Sequence, residues 1–169
     1  MGQSKTVSGR QRAKSPEGAP DCIYSLSEEE TLALGERLAR TFKGGELVVL
    51  EGDLGMGKTV FARGIAVGLG VPADEVRSPS FSLVHEYEGG RCPLFHVDLY
   101  RLDGVEDFDG LGLDELTEAG GVVLVEWGEK LPPWYRREAL TVRFHDLGEG
   151  SRKIELDRRD RPTVRRGDA

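Results

Sequence analysis

The sequence predicts an α/β fold of three layers, with helices packed on a mixed sheet that carries antiparallel hairpin additions, and three observations predict it. First, the apolar run Glu46-Leu-Val-Val-Leu-Glu51 leads through a glycine-rich bend into Thr59–Leu69. There Val60, Phe61, Ile65, Val67 and Leu69 spread over more than one helical face, as in a helix packed on a sheet. Second, two further apolar runs, Leu94–Val97 and Val122–Val125, are each closed by a carboxylate, Asp98 and Glu126. Third, residues 82–87 and 93–100 flank Gly89-Gly90, and residues 139–145 and 152–157 flank Gly148-Glu149-Gly150. Both spacings read as β-hairpins, and a hairpin is antiparallel, so the sheet is not purely parallel.

The bend after the first strand reads Gly52-Asp53-Leu54-Gly55-Met56-Gly57-Lys58-Thr59, the GxxxxGKT phosphate-binding loop of nucleoside triphosphatases. A triphosphate concentrates negative charge in a small volume. Such a loop meets it with backbone N–H groups, a helix N-terminus and one lysine. Glycines reach positive φ and let the backbone approach the phosphate oxygens. Lys58 is placed to reach the β- and γ-phosphates, and Thr59 to offer its hydroxyl to Mg²⁺. The fold expected around it is therefore P-loop NTPase-like.

Along the chain, Ser27-Glu28-Glu29-Glu30 reads as a helix start, with Ser27 as N-cap and Glu30 at the capping-box position. Leu32, Leu34, Leu38 and Phe42 continue the helix to Lys43, where Gly44-Gly45 ends it. Residues 77–81 form a loop with one proline and two hydroxyls. Residues 103–118 hold seven acids and no base around Phe108, Leu111, Leu113 and Leu116. They read either as a solvated loop with a short helix, or as a docking surface or acidic flap beside the nucleotide. One domain is expected over residues 21–157, between basic tails at 1–20 and 158–169 that lack apolar periodicity and read as disordered.

Charge narrows the function. The body, residues 21–157, holds 14 bases against 27 acids, so it is not built to grip phosphodiester backbones by itself, and any RNA involvement should run through a partner. Cys22 and Cys92 form no CxxC pattern and read as reduced intracellular thiols. No run approaches the ~18 apolar residues of a membrane span, and no apolar stretch follows the N-terminus as in a secretory signal. A cytoplasmic protein is expected. The sequence contains no asparagine, so the Asn-Lys-x-Asp motif that reads guanine cannot exist in it, and its only glutamines are Gln3 and Gln11. Adenine nucleotide is the expected ligand, with slow hydrolysis by the isolated chain.

A phosphate loop works with an acid at the C-terminal end of a neighbouring strand. Asp98 and Glu126 both stand there. One could hold the ion, directly or through water, while the other orients the attacking water, since Mg²⁺ takes only one or two protein oxygens. Ser80 is a candidate γ-phosphate sensor, against the alternative of an ordinary Ser-Pro-Ser turn. His96, two residues before Asp98, reads as a packed core histidine. His85 and His145 show no metal-ligand spacing.

The ordered series Ser27-Glu-Glu-Glu-Thr31-x-x-Leu34-Gly35, Gly52–Thr59, Ser78-Pro-Ser80-Phe81, His96-Val-Asp98-Leu-Tyr100-Arg101-Leu102 and Val125-Glu126-Trp127 resembles the bacterial TsaE (YjeE) family. That family is the ATPase component of the tRNA threonylcarbamoyladenosine-modification machinery. The likeness covers roughly residues 23–157. It implies a P-loop sheet with antiparallel additions, binding of ATP and Mg²⁺, and two partners: TsaD, which transfers the threonylcarbamoyl group to the adenosine 3′ of the anticodon, and TsaB, its scaffold. Hydrolysis would reset the complex between turnovers, and tRNA would be met only through it. By the match, Thr59 and Glu126 ligate Mg²⁺, Asp98 is essential for hydrolysis, residues 52–60 (Gly52, Asp53, Leu54, Gly55, Met56, Gly57, Lys58, Thr59, Val60) cradle the phosphates, and Thr31 lies near the base. Two departures stand out: Ser80 replaces the usual threonine of Ser-Pro-Thr, and Gly128 replaces the proline that usually follows Glu-Trp.

Two rival readings remain at this level. A small P-loop kinase of a metabolite or nucleoside fits the chain length, but kinases bring cations over the transferring phosphoryl group, and the segment after Asp98 is acidic. A nucleotide-dependent binding module with negligible catalysis is the other.

Overall fold

The structure, a computed structural model, describes residues 20–79, 81–102 and 108–158. Its elements are β1 (Asp21–Ser25), α1 (Glu28–Ala39), β2 (Leu47–Glu51), α2 (Lys58–Leu69), β3 (Val84–Tyr87), β4 (Leu94–Asp98), α3 (Leu113–Glu118), β5 (Val122–Glu126), α4 (Pro133–Glu138), β6 (Leu140–Gly148) and β7 (Ser151–Arg158). Short 3₁₀ turns stand at Asp109–Leu111 and Gly128–Lys130. The strands form one seven-stranded sheet in the order β1-β7-β6-β2-β5-β4-β3. β6, β2, β5 and β4 are parallel neighbours. The β3–β4 and β6–β7 hairpins are antiparallel, as the glycine spacings predict, and β1 adds antiparallel to β7.

Alternation along the central strands builds the three layers. Val48, Leu50, Leu94, Val122 and Leu124 face one core with Phe61, Ile65 and Leu69 of α2 and Leu34 and Leu38 of α1. Their alternates Val49, Phe95, Val97, Val123 and Val125 face a second core with Phe108, Leu113 of α3 and Leu131. Strands buried on both faces read as continuous apolar runs, which is why β2, β4 and β5 were legible. Phe108 and Leu113 place the described part of the acidic segment against the sheet, so its apolar residues are core. Residues 103–107 lie outside the described residues.

The sequence reading departs from the structure in several places. The α1 helix ends at Ala39 rather than Lys43, because Thr41 and Phe42 turn back onto the carbonyls of Leu38 and Ala39 at 3.0 Å each, tightening the last turn. Ser27 caps it as expected, accepting from Glu30 N at 3.2 Å, but the Glu30 carboxylate reaches Leu26 N at 2.7 Å, one residue further back. Strand β1 and helix α4 were not foreseen. β7 also includes Arg158, the first residue of the segment read as a tail; apart from Pro20, the rest of both tails lies outside the described residues.

Helices α1 and α2 pack at glycine. A Cβ on Gly35 would collide with Phe61 O, one on Gly64 with Leu32 O, and one on Gly68 would sit 2.7 Å from Ala39 Cβ. The close approach fixes where α2, and so its N-terminus, sits over the sheet. We expect Gly64→Ala to destabilise the fold by about 2 kcal/mol despite alanine's better helix propensity, because over-packing against a backbone carbonyl outweighs that gain of roughly 1 kcal/mol. Chemical denaturation would reveal it, and an unchanged or raised midpoint would contradict the packing argument.

Candidate functional site

The loop between β2 and α2 turns on glycines with φ of 143° (Gly52), 81° (Gly55) and 96° (Gly57), conformations that L-residues rarely adopt. A Cβ on Gly55 would meet none of the described residues within 4 Å, so this part of the loop is open on that side among them. A Cβ on Gly57 would strike the Arg152 guanidinium. Buried Glu51, the last residue of β2, anchors the loop from below: it pairs with Arg136 of α4 and, at 3.0 Å, with Arg143 of β6.

Parallel pairing then carries the acids to the loop. In the register of β4 with β5, Asp98 stands opposite Glu126; in that of β2 with β5, Leu50 stands opposite Glu126. Both carboxylates therefore emerge at the C-terminal ends of the central strands, beside the start of α2. Thr59 Oγ1 donates to Glu126 Oε1 and Oε2 at 3.1 and 3.2 Å. Asp98, 2% exposed, accepts from Ser78 Oγ at 2.8 Å and from Tyr100 N at 2.8 Å. A cleft of about 450 Å³ opens here, lined by Leu54, Gly55, Gly57, Lys58, Thr59, Val60, Asp98 and Glu126 among others.

Lys58 is the buried cation of the cleft. Its Nζ donates to Gly52 O and, at 2.7 Å, to Asp53 O, and lies 4.1 Å from the centroid of the Trp127 ring. Burial holds the ammonium below its ordinary pKa of 10.5, while the carboxylates of Glu126, Glu129, Asp53 and Asp98 pull the other way. Glu129 is shifted upward, again chiefly by burial.

The sequence-predicted residues divide by position. Lys58, Thr59, Asp98 and Glu126 meet in one cleft, with Leu54, Gly55, Gly57 and Val60 on its wall. Gly52 and Asp53 face Lys58 through their carbonyls, and Met56 packs against the α1–α2 core. Ser80 lies outside the described residues. Thr31 is fully buried, 2.7 Å from Ser25 Oγ and donating to Ser27 O at 3.1 Å. Its hydroxyl locks the start of α1, and from that helix it is Glu28 that lines the cleft.

Sequence reasoning missed four contributors. Ser78 holds Asp98, and Trp127 lies against Lys58. Lys130 Nζ ties the segment after β4 by donating to Tyr100 O at 2.6 Å and Leu102 O at 3.0 Å. His96 is buried as expected, yet its Nε2 is 2.8 Å from Glu126 Oε1. The acid-ended strands pointed to the neighbourhood, but no local pattern encodes these pairings. Gly128, which departs from the family pattern, is buried, and a Cβ there would collide with the Val49 side chain.

Residues 25–154 match the family model described as "Threonylcarbamoyl adenosine biosynthesis protein TsaE". The chain belongs to the TsaE family. Among its relatives, the Treponema pallidum tRNA threonylcarbamoyladenosine biosynthesis protein TsaE is 38% identical over 135 residues, covering 80% of this chain and 98% of that protein. The Bacillus subtilis TsaE is 39% identical over 130 residues, covering 77% and 80%. A crystal structure of Bacillus subtilis YdiB superposes with a TM-score of 0.68 at 35% identity, covering 86% of this chain and 90% of that one. The family resemblance and the P-loop NTPase-like α/β fold read from the sequence therefore both hold. No helix among the described residues of this TsaE-family chain is long and apolar enough to cross a membrane.

The lowered pKa of Lys58 sets a pH dependence. The unfolded chain binds more protons than the folded one between the lowered folded value and 10.5, so this lysine's contribution to stability rises as pH rises through that window. Wild type should therefore gain stability relative to Lys58→Met as pH is raised toward 10.5. Paired denaturation curves would measure it; a gap that stays constant, or widens in favour of the variant, would contradict a desolvated Lys58.

Proposed function

We propose that the chain is the ATP-hydrolysing component of the machinery that makes tRNA threonylcarbamoyladenosine, and that it does not itself transfer the threonylcarbamoyl group. The observation that carries this reading is the convergence of Lys58, Thr59, Asp98 and Glu126 on one cleft at the mouth of a GxxxxGKT loop. Family membership supplies the pathway, and the relatives' names say what those proteins take part in.

The residues fit ATP and Mg²⁺. Positive-φ glycines and an α2 N-terminus with no side-chain cap leave backbone N–H groups for phosphate oxygens. Thr59 and Glu126 offer hard oxygen donors only 3.1 Å apart, the chemistry that suits magnesium. Bound magnesium would neutralise charge on the β- and γ-phosphates. Lys58 would exchange its bonds to Gly52 O and Asp53 O for phosphate oxygens, gaining a charge-assisted partner in a dry site. Asp98 is oriented by Ser78 Oγ and Tyr100 N, which fixes its carboxylate to receive a proton from, or align, the attacking water. Trp127 and Tyr100, 5.1 Å apart between ring centroids, form one wall and limit water access to Lys58.

The acidic body fits recognition of tRNA through partners rather than by the chain itself. TsaD-like and TsaB-like subunits are the proposed partners, and the cytoplasm the proposed compartment. Turnover by the isolated chain is expected to be slow.

Two variants test this. Lys58→Ala should weaken ATP binding roughly 100-fold, the loss of a charge-assisted contact in a desolvated site; unchanged affinity by calorimetry would remove Lys58 from the phosphates. Asp98→Ala should lower turnover roughly 100-fold or more, measured with the partner subunits present, while ATP affinity changes little. Full hydrolysis by that variant would remove Asp98 from the mechanism.

A further inference from the structure

We propose that His96 is a positioning residue for Glu126: its imidazole fixes the carboxylate so that the oxygen pair presented with Thr59 stays ready for a divalent cation. The proposal rests on the reading of Thr59 and Glu126 as the magnesium-holding pair, and adds to it a residue that touches neither nucleotide nor cleft.

The burial of His96 is the first observation. It sits on β4 between Leu94 and Asp98, opposite Leu124 of β5, and is completely inaccessible. Leu94 and Leu124 belong to the apolar core under α1 and α2. A leucine or phenylalanine at position 96 would suit that core and bring no polar atoms into it.

The hydrogen bonding is the second observation. A carboxylate only accepts, so the 2.8 Å contact to Glu126 Oε1 places the proton on Nε2. The other ring nitrogen, Nδ1, is buried and has no hydrogen-bond partner among the described residues. A buried polar atom left unpaired is a desolvation cost, and a core position would shed it by becoming apolar. Among the described residues, what the fold obtains for keeping an imidazole is the bond to Glu126.

The geometry of Glu126 shows what that bond does. Among the described residues, Oε1 receives both His96 Nε2–H and the Thr59 hydroxyl, and Oε2 receives the hydroxyl. Two donors on different elements, β4 and α2, set the orientation of the carboxylate group. Without His96, Thr59 would be the donor left to hold it among the described residues. The carboxylate would then be free to turn toward the Lys58 ammonium in the same cleft and away from a metal position. Hydrogen-bonding partners behind metal ligands, carboxylates included, act this way, and their loss typically weakens metal affinity about 10–100-fold.

Calorimetry of ATP binding by the full chain, in EDTA and across a magnesium titration, tests the proposal on wild type, His96→Leu and His96→Gln. Leucine removes the donor, whereas the glutamine amide can place an N–H near the Nε2 position. His96→Leu should need roughly 10–100-fold more magnesium for its effect on ATP affinity, with metal-free affinity within about two-fold of wild type. His96→Gln should recover most of the loss. A magnesium midpoint in His96→Leu equal to wild type would overturn the proposal, as would equal losses in both variants. Absence of any magnesium effect in wild type would instead overturn the metal reading of Thr59 and Glu126, and the proposal with it. Nitrogen NMR of the imidazole gives a readout that needs no variant at position 96. Wild type should show a protonated Nε2 and an unprotonated Nδ1, and Glu126→Gln should move the Nε2 signal. The opposite tautomer, or a signal unmoved by Glu126→Gln, would overturn it too.

Discussion

The parallel pairing of β2 with β5, and of β5 with β4, is the constraint on which the site depends. Parallel strands in register end together, so a motif at the end of β2 and carboxylates at the ends of β4 and β5 are delivered to one place with no loop having to carry them there. The Asp98–Glu126 register and the Leu50–Glu126 register set that convergence. The glycine-mediated packing of α2 on α1 then sets where the helix N-terminus meets it. Both devices are backbone-to-backbone and leave little room for adjustment, as a site of a few well-placed groups requires.

The electrostatics of the cleft follow from that geometry. Lys58 is buried, and Glu126, Glu129, Asp53 and Asp98 act on it together. Each charge would be costly to bury alone; together they compensate in part, and a polyanion with its counter-cation would complete the balance. Beneath the loop, the Arg136–Glu51–Arg143–Asp157 chain of ion pairs joins β2, α4, β6 and β7. The loop is thus held from below by paired charges and exposes its open side at Gly55. The acidic composition of the body is consistent with a protein that binds one phosphate cluster in a built site and leaves nucleic acid to others.

Much of this arrangement was legible from sequence, for physical reasons. Strands buried on both faces are unbroken apolar runs, and a phosphate loop needs glycine at fixed places, so β2, β4, β5, the loop and its lysine stand out. Strand β1 did not: Asp21-Cys-Ile-Tyr-Ser25 lies at the sheet edge, buries only Ser25 fully, and has no apolar run. Helix α4 escaped because its six residues include no buried one and begin at Pro133, directly after Pro132. Side-chain pairings such as Ser78–Asp98 and His96–Glu126 arise from register and cannot be seen in local pattern. Thr31 shows the opposite limit: the family motif marks the position, but here the hydroxyl is spent within the turn that starts α1. The kinase alternative drew no support from the site. Among the described residues, the one cation lining the cleft other than Lys58 is Arg101, and its guanidinium carbon sits 4.4 Å from the Phe81 ring centroid.

The central claim is that a magnesium-bearing adenine nucleotide is held where the glycine bend meets α2, with both strand-end acids turned toward it. The most direct measurement is a crystal structure with a non-hydrolysable ATP analogue and manganese in place of magnesium, read by anomalous scattering. The account predicts one manganese peak at a bonding distance of about 2.0–2.2 Å from Thr59 Oγ1, with Glu126 a direct or water-bridged ligand and Lys58 on the phosphates. A nucleotide bound elsewhere, or a manganese peak remote from Thr59 and Glu126, would contradict it.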